Sequence, residues 1–257
     1  MYGAAYTAVM ELAALIFDVD GTLAETERDG HRLAFNAAFA QAGLGWYWDE
    51  SLYGELLAVT GGKERMAHFA AQFAPAFLGQ PDRAARIAAL HQAKTRHYLR
   101  LLESGVIALR PGVAGLLREA RAVGMRLAIA TTTTPENVST LLRVALGVDV
   151  PGWFEVIGAG DVVAWKKPAP DIYRWVLQRL ELPAGACLAI EDSAAGLAAA
   201  RGAGVPTLVT PCKYTRVQDF SGALAVLPDL GATDLAACRR LHASFRSMSA
   251  YGLDKNP

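Results

Sequence analysis

The sequence lacks an excess of charge of either sign. Lysine and arginine together number 25, as do aspartate and glutamate, so the formal net charge is +0 at pH 7. Domains that bind nucleic acid through its phosphates usually carry a basic excess, and no block of like charges forms an interaction tail here. We therefore expect no nucleic-acid partner.

Long apolar runs and paired cysteines are also missing. Polar residues interrupt every apolar run well before it could cross a bilayer, which predicts no transmembrane helix and no membrane partner. The 3 cysteines, Cys187, Cys212 and Cys238, are odd in number and widely spaced. They form no C-x-x-C motif and no Cys/His cluster, so we expect buried free thiols, a reducing compartment and no zinc site. The N-terminal segment MYGAAYTAVMEL lacks the basic start of a signal peptide, and we expect a cytoplasmic location.

Apolar residues are abundant instead. They make up 53% of the 257 residues, with a mean hydropathy of +0.21, which is enough for one large domain or two smaller ones. Several short apolar runs end in small or acidic residues and are separated by helical patterns. These predicted strands are 12–17, 126–130, 154–158, 187–190 and 205–209, with a possible edge strand at 223–227. The alternation of strands and helices predicts an α/β fold with a parallel sheet.

One interval breaks this alternation. Residues 26–107 contain no convincing strand, but they carry helical patterns at 28–42, 50–59, 62–73 and 83–103. We interpret this interval as an α-helical domain inserted after the first strand. The predicted organisation is a parallel-sheet core of residues 1–25 and 108–257 with a helical cap of residues 26–107.

Two further signals belong to the inserted segment. Trp46, Tyr47 and Trp48 are adjacent aromatic residues, and we interpret them as packing of the cap rather than as a binding site, because aromatic side chains bury large areas. The motif Arg110-Pro111-Gly112 predicts a turn, and a plausible hinge, where the chain returns to the sheet.

Polar side chains follow the predicted strands at their carboxyl ends or in the loops just beyond. They are Asp18, Asp20, Thr131, Lys166 or Lys167, Glu191 and Asp192. Parallel sheets bind ligands outside these strand ends, so we expect the side chains to share one pocket. Four converging carboxylates need a cation, and oxygen ligands without His or Cys favour Mg²⁺. A lysine and a threonine opposite the metal would complete a site for a phosphoryl group.

The two aspartates after the first strand suit different roles. Asp18 follows the strand directly, which favours a nucleophile that attacks phosphorus and forms an acyl phosphate. We expect the neighbouring carboxylate to raise the pKa of Asp20, so that Asp20 donates a proton to the leaving alcohol and then acts as base for water. Gly21 allows a tight turn whose N–H groups can cradle a phosphate.

Four motifs occur in a set order along the chain. They are D-V-D-G-T-L at 18–23, an apolar run ending in Thr131, K-P-A-P-D-I-Y at 167–173 and A-I-E-D-S-A-A-G at 189–196. This order resembles the haloacid dehalogenase (HAD) superfamily of phosphatases, whose core is a Rossmannoid parallel sheet. An aspartate in the position of Asp20 marks the phosphatase branch of that superfamily. The insertion after the first motif resembles the helical cap of the subfamily that includes β-phosphoglucomutase.

Further segments resemble the CbbY family. They are LAETERDGHRLAFN at 23–36, TGGKERM at 60–66, LRPGV at 109–113 and ATTTTPENV at 130–138. The resemblance implies a Mg²⁺-dependent phosphatase that removes the 1-phosphate of xylulose 1,5-bisphosphate and leaves xylulose 5-phosphate. The partner would be a small phosphosugar, and we expect a monomer.

The resemblance also implies a role for each matching residue. Asp18 would be the nucleophile and Asp20 the acid/base. The metal ligands would be Asp18, the Asp20 carbonyl and Asp192, with Glu191 either a ligand or a partner of one. Lys167 is preferred to Lys166 because the lysine of the motif stands directly before the proline. The implied substrate-binding residues are Glu25, His31, Gly61, Gly62, Lys63, Arg65, Thr131, Thr132 and Lys167.

Simpler interpretations stay open for several of these residues. Asp18 and Asp20 also fit a helix cap followed by a turn. His31 also fits a polar position on an amphipathic helix, and Lys63 and Arg65 also fit exposed surface charges.

Other functions stay open as well. One is a phosphosugar mutase similar to β-phosphoglucomutase, and another is a phosphatase of a different small sugar phosphate. A receiver-type signalling domain also places Asp, Thr and Lys around Mg²⁺, but it needs only about half this length and has no helical cap.

Overall fold

A single parallel sheet forms the centre of the fold. The computed structural model describes residues 11–250, with side chains for residues 11–245, and within that part the sheet has 6 strands. The strands are β1 (Ala14–Phe17), β2 (Arg126–Ala130), β3 (Phe154–Gly158), β4 (Cys187–Glu191), β5 (Thr207–Val209) and β6 (Ala225–Val226). Their order is β3-β2-β1-β4-β5-β6, and all neighbours are parallel.

The predicted strands agree closely with the observed ones. β2 and β3 have the predicted bounds, β4 extends to Glu191, and β5 and β6 are shorter than predicted. β1 begins at Ala14 rather than at Leu12, because Ala14 pairs with the first residue of both neighbouring strands, Arg126 in β2 and Cys187 in β4. The ladder therefore starts where both partners start.

Helices fill the interval between β1 and β2. A π-helical turn at Glu27–His31 leads into α1 (Arg32–Gln41), and the chain continues through α2 (Glu50–Leu56), α3 (Gly62–Phe73), α4 (Pro75–Leu78) and α5 (Arg83–Glu103). α3 and α5 have the predicted bounds, whereas the short α4 was not predicted. The α/β core with a helical insertion is confirmed. The segment that enters the insertion and the segment that leaves it lie side by side and are joined by a β-bridge between Ala24 and Leu109. The exact division of the chain into domains stays a prediction.

Both faces of the sheet are covered by helices. Leu15 and Phe17 of β1 face a cluster that includes residues of α6 (Val113–Ala122), α7 (Pro135–Leu146) and α10 (Leu235–Ala250). Ala14 and Ile16 face the opposite cluster, with residues of α8 (Asp171–Leu180) and α9 (Ala194–Gly202). Burial on both faces explains why the strands read as continuous apolar runs.

The insertion has an aromatic core of its own. Trp48 is fully buried, and its ring centroid lies 4.7 Å from that of Phe35 and 4.8 Å from that of Phe39. Trp46 also packs against this core, so the packing interpretation is confirmed for both tryptophans. It is wrong for Tyr47, which is 68% exposed.

The structure bears on some of the features that the sequence was predicted to lack. Cys187, Cys212 and Cys238 are buried free thiols, as expected. Of the helices in the described part of the chain, none combines the length and the apolar content needed to cross a bilayer. The predicted absence of a signal peptide concerns residues that lie mostly outside the described range.

The adjacent residues Trp48 and Tyr47 offer a matched test of the cap core. Trp48→Ala should lower the free energy of unfolding by about 3–5 kcal/mol, because it leaves a large cavity among aromatic rings. Tyr47→Ala, at an exposed position, should change it by no more than about 0.5 kcal/mol. Urea unfolding followed by circular dichroism measures both; equal losses would mean that Trp48 does not anchor this core.

Candidate active site

Three neighbouring strands bring their carboxyl ends together. Asp18 follows β1 and donates its backbone N–H to the carbonyl of Ile190 in β4, at 3.0 Å. Thr131 follows β2, on the other side of β1, and Glu191 is the last residue of β4. β2 and β3 lie on one side of β1, and β4, β5 and β6 lie on the other, so the strand order changes sides at β1. Open parallel sheets bind ligands at such a point.

Lys167 joins two buried carboxylates. Its Nζ atom lies 2.7 Å from Asp18 Oδ1 and 2.6 Å from Glu191 Oε1. Burial alone would lower the pKa of Lys167, but the charges of Asp18 and Glu191 and the hydrogen bonds to them raise it above its ordinary value. Tyr173 donates a further hydrogen bond to Glu191 Oε1. Lys166 is not part of this cluster and pairs with Asp161, at 3.1 Å.

Asp18, Glu191 and Asp192 form a compact carboxylate cluster, with one ligand atom of each within 4.8 Å of the others. Burial raises the pKa of Asp18 well above its ordinary value. The charge of Lys167 partly offsets this rise, and the charges of Glu191 and Asp192 add to it. Burial and the charge of Glu191 raise the pKa of Asp192 to about 7. Among the described residues, the buried Glu191 Oε2 has no hydrogen-bond partner. One lysine cannot balance three carboxylates, so the cluster fits a divalent cation bound through oxygen.

Two glycines make room for these carboxylates. Gly21 has a φ of +84°, and a Cβ atom there would lie 2.3 Å from Asp192 Oδ2. A Cβ atom on Gly196 would lie 2.0 Å from Glu191 Oε2. Both distances are far shorter than a van der Waals contact, so a side chain at either position would displace a carboxylate. Gly196 closes the fourth motif, but the sequence pattern alone predicts no role for it.

Asp20 faces the helical insertion. Its Oδ1 atom accepts hydrogen bonds from Thr26 Oγ1 at 2.6 Å and from His31 Nε2 at 2.9 Å. Lys94 Nζ lies 2.7 Å from His31 Nδ1, and the His31 ring stacks on Tyr98 with centroids 3.9 Å apart. Because the ammonium of Lys94 can only donate, the Nε2–H of His31 is directed at Asp20. Burial is the main factor that lowers the pKa of Lys94, to about 8.

The expected protonation of Asp20 is wrong for this arrangement. Burial alone would raise the pKa of Asp20, but His31, the hydrogen bond from Thr26 and the charge of Lys94 outweigh burial and lower it to about 2. The physical reason is that Asp20 has cations and donors as neighbours, rather than the carboxylate of Asp18. Asp18 has the raised pKa instead, chiefly because it is buried and in addition because Glu191 and Asp192 lie close to it.

A cavity lies between the insertion and the core. Its core side includes Asp20, two positions after the buried Asp18, and Thr132, which directly follows the buried Thr131. The residues of the insertion that line it include several from the prediction, namely His31, Gly61, Gly62, Lys63 and Arg65. The structure therefore brings the predicted cap residues next to Asp20 and Thr132. The cavity lining does not include the buried residues Asp18, Thr131, Lys167, Glu191 and Asp192.

The two predicted cap cations differ in their surroundings. The Lys63 side chain is 47% exposed, and its Nζ atom lies 3.4 Å from Asp161 Oδ2. Arg65 is buried, with its Nε atom donating to the carbonyl of Leu56 at 3.2 Å and Nη1 donating to the Tyr53 hydroxyl at 3.1 Å. Arg65 is therefore no exposed surface charge, and the cap backbone holds it in place.

The positions of two side chains differ from those predicted from the sequence. Glu25 does not line the cavity; its Oε1 atom lies 3.4 Å from Nε of Arg110. Lys94 lines the cavity but was not predicted. A lysine in the middle of a long amphipathic helix carries no local signal, and only its distance to His31 reveals it.

The comparisons with known proteins agree with this geometry. The haloacid dehalogenase-like hydrolase family matches residues 12–204, and the fold and the carboxylate cluster define a protein of this class. Protein CbbY of Rhodobacter capsulatus is 54% identical over 232 residues, which are 90% of this chain and 100% of that protein. The chain belongs to the CbbY family of haloacid dehalogenase-like phosphatases.

Solved structures show the same likeness. CbbY from Rhodobacter sphaeroides in complex with phosphate is 48% identical, with a TM-score of 0.81 over 88% of this chain and 98% of that chain. A variant of that protein in complex with xylulose-(1,5)bisphosphate is 47% identical, with the same TM-score of 0.81 and the same coverage of 88% and 98%. The predicted family and the predicted enzyme class, a phosphatase, are confirmed.

Gly196 provides a test of the carboxylate cluster. Gly196→Ala should lower turnover of p-nitrophenyl phosphate about 100-fold, since a misplacement of about 1 Å at a reacting group costs roughly that much. Gly115→Ala is the control, because a Cβ atom at Gly115 meets nothing within 4 Å. Steady-state kinetics on both folded variants measures the effect. Unchanged turnover in Gly196→Ala would show that Glu191 need not lie where the structure has it.

Proposed function

We propose that this chain is a Mg²⁺-dependent phosphatase that converts xylulose 1,5-bisphosphate to xylulose 5-phosphate and inorganic phosphate. The observation that carries this proposal is the presence of two separate sets of cationic groups, one in the core and one on the insertion. Lys167 lies at the strand ends among the carboxylates, whereas Lys63 and Arg65 line the cavity beside Asp20 and Thr132. A bisphosphate needs a second cationic contact away from the reacting phosphate, and an arginine fork suits phosphate. The Rhodobacter sphaeroides variant bound to xylulose-(1,5)bisphosphate supports the same substrate.

The carboxylate cluster would hold the metal. Asp18, Glu191 and Asp192 offer the side-chain oxygens, and the Asp20 carbonyl is a further ligand by resemblance to the family. When bound, Mg²⁺ would supply positive charge next to the transferring phosphoryl group and offset the buried carboxylates. With that charge in place, the pKa of Asp18 would fall, which favours the ionised nucleophile.

Asp18 would carry out the first step. One of its carboxylate oxygens attacks phosphorus, the bond from phosphorus to the sugar oxygen breaks, and an acyl phosphate forms on Asp18. Thr131 and Lys167 would hold the phosphoryl oxygens during this transfer, and the N–H groups of the turn at Gly21 would cradle them. Water then attacks the acyl phosphate and releases inorganic phosphate.

Asp20 would move the protons. The ionised Asp20 of this structure suits the base that activates water in the second step. For the first step it must already carry a proton for the leaving sugar oxygen. An incoming phosphate dianion raises the pKa of a nearby carboxylate, and His31 is placed to pass its Nε2 proton to Asp20 and to receive one from Lys94.

A panel of sugar phosphates tests the substrate. Phosphate release from xylulose 1,5-bisphosphate should exceed that from pentulose and hexose monophosphates, with xylulose 5-phosphate as the product. EDTA should stop the reaction and added Mg²⁺ should restore it. Asp18→Asn, which removes the nucleophile, is the control and should release no phosphate. The malachite green assay and mass spectrometry of the products provide the measurements.

Other outcomes of this panel reject the proposal. Faster release from a different sugar phosphate would change the substrate. Isomerisation of a hexose phosphate without phosphate release, dependent on a bisphosphate primer, would identify a mutase. Native turnover by Asp18→Asn would show that another residue is the nucleophile.

Lys63 tests the contact to the second phosphate. Lys63→Ala should raise KM for the bisphosphate about tenfold, because a hydrogen bond to a charged group contributes about 1.5–3 kcal/mol. KM for p-nitrophenyl phosphate, which has one phosphate, should not change. Arg83→Ala is the control, since Arg83 is an exposed cation of the insertion that does not line the cavity. An equal change for both substrates would mean that Lys63 does not contact the second phosphate.

A further inference from the structure

Arg110 is buried where the chain returns from the helical insertion, with 7% of its surface exposed. Its Nη1 atom donates to the carbonyl of Gly21 and, at 2.5 Å, to the carbonyl of Thr210. Its Nη2 atom donates to the carbonyls of Pro211 and Pro228, at 2.9 and 3.2 Å. A planar guanidinium can reach four carbonyls at once in a set geometry, which an ammonium group cannot do. One side chain thus joins three separate segments of the core.

Two of these segments adjoin the carboxylate cluster. Gly21 lies in the turn that follows Asp18, and its Cα atom is packed so closely on Asp192 that a Cβ atom would lie 2.3 Å from Oδ2. The N–H of Thr210 donates to the carbonyl of Glu191 at 2.7 Å. A shift of the Gly21 carbonyl would therefore move backbone that is packed on the Asp192 carboxylate, and a shift of the Thr210 carbonyl would move backbone that is bonded to the main chain of Glu191.

The remaining nitrogen of the guanidinium meets Glu25. Nε of Arg110 lies 3.4 Å from Glu25 Oε1, and the Glu25 side chain is 34% exposed. Glu25 stands on the segment that leads into the insertion, next to the bridge between Ala24 and Leu109. The N–H of Arg110 also donates to the carbonyl of Leu23 at 2.9 Å. The outgoing and returning segments of the insertion meet at this ion pair.

We propose that Arg110 is a positioning residue for phosphoryl transfer. It holds the turn at Gly21 and the end of the sheet at Thr210 in one relative position, and Glu25 sets the orientation of its guanidinium. Arg110 acts through Asp18 and the carboxylates and touches no substrate. The inference rests on the phosphatase activity and on the nucleophile of the proposed function, but not on which sugar the enzyme prefers.

Arg110→Lys is the main test, with p-nitrophenyl phosphate as the substrate. The variant keeps the charge but loses the simultaneous hydrogen bonds to four carbonyls. We expect kcat to fall about 10- to 100-fold with KM unchanged, since displaced catalytic groups slow the chemical step by about this much. Circular dichroism and a thermal melt establish the temperature at which the variant is fully folded, and kinetics are measured below it.

The control is Arg126→Lys. Arg126 also makes a paired contact to a carboxylate, Glu155, with a distance of 2.7 Å from Nε, but this pair lies at the surface. Its substitution should leave kcat and KM unchanged. Addition of guanidinium ion at low concentration to Arg110→Ala should restore part of the lost kcat, whereas sodium chloride at equal ionic strength should not.

Several results would overturn the proposal. One is a folded Arg110→Lys variant with wild-type kcat, and another is a loss of activity that matches the unfolded fraction. If Arg110→Lys does not fold, the kcat and KM of Glu25→Gln test the proposal in its place. A lower kcat with unchanged KM supports the positioning role, and a raised KM with unchanged kcat assigns Glu25 to substrate binding and rejects its part in the proposal. Wild-type turnover of p-nitrophenyl phosphate without turnover of xylulose 1,5-bisphosphate would reject the substrate alone and leave this test intact.

Discussion

The contact of Lys167 with two buried carboxylates is the interaction on which the site depends. The lysine reaches Asp18 and Glu191 at 2.7 and 2.6 Å from a loop that follows β3, a strand on the far side of β2. Buried carboxylates without a partner are strongly unfavourable, so this ammonium makes the convergence of β1 and β4 possible. It balances only part of the charge. The remaining negative charge and the orphaned Glu191 Oε2 are what make the cluster receptive to a cation.

The two aspartates of the first motif differ because their neighbours differ. Burial and the nearby carboxylates raise the pKa of Asp18, whereas His31 and Thr26 outweigh burial at Asp20 and lower its pKa. The contacts of Asp20 come from the insertion, and those of Asp18 come from the core. The same short segment thus connects the carboxylate cluster with the cap side, and Arg110 bonds that segment to the point where the chain returns from the insertion.

Local patterns were sufficient to predict most of the fold. The strands at 126–130 and 154–158 and the helices at 62–73 and 83–103 have the predicted bounds, because apolar periodicity and strand-ending polar residues are local signals. The members of the carboxylate cluster were also found, since each ends or follows a strand. Lys94 and Arg110 were missed as functional residues. Lys94 is separated from His31 by 63 positions, and Arg110 from Thr210 by 100, so neither contact leaves a local pattern.

The sequence by itself determined the class of fold, the family, and the identity of the groups at the strand ends. The fold class and the strand-end groups follow from residue spacing, which parallel strands convert into a shared edge of the sheet, and the family follows from the resemblance of the motifs. Only the tertiary structure decided which groups surround Asp20 and the pairing of Glu25 with Arg110, and it places Lys167, the lysine that the motif favoured, at the carboxylate cluster. Each of these depends on which charges and donors lie within a few ångströms. The electrostatic energy of such contacts is set by distance and burial, which spacing along the chain does not specify.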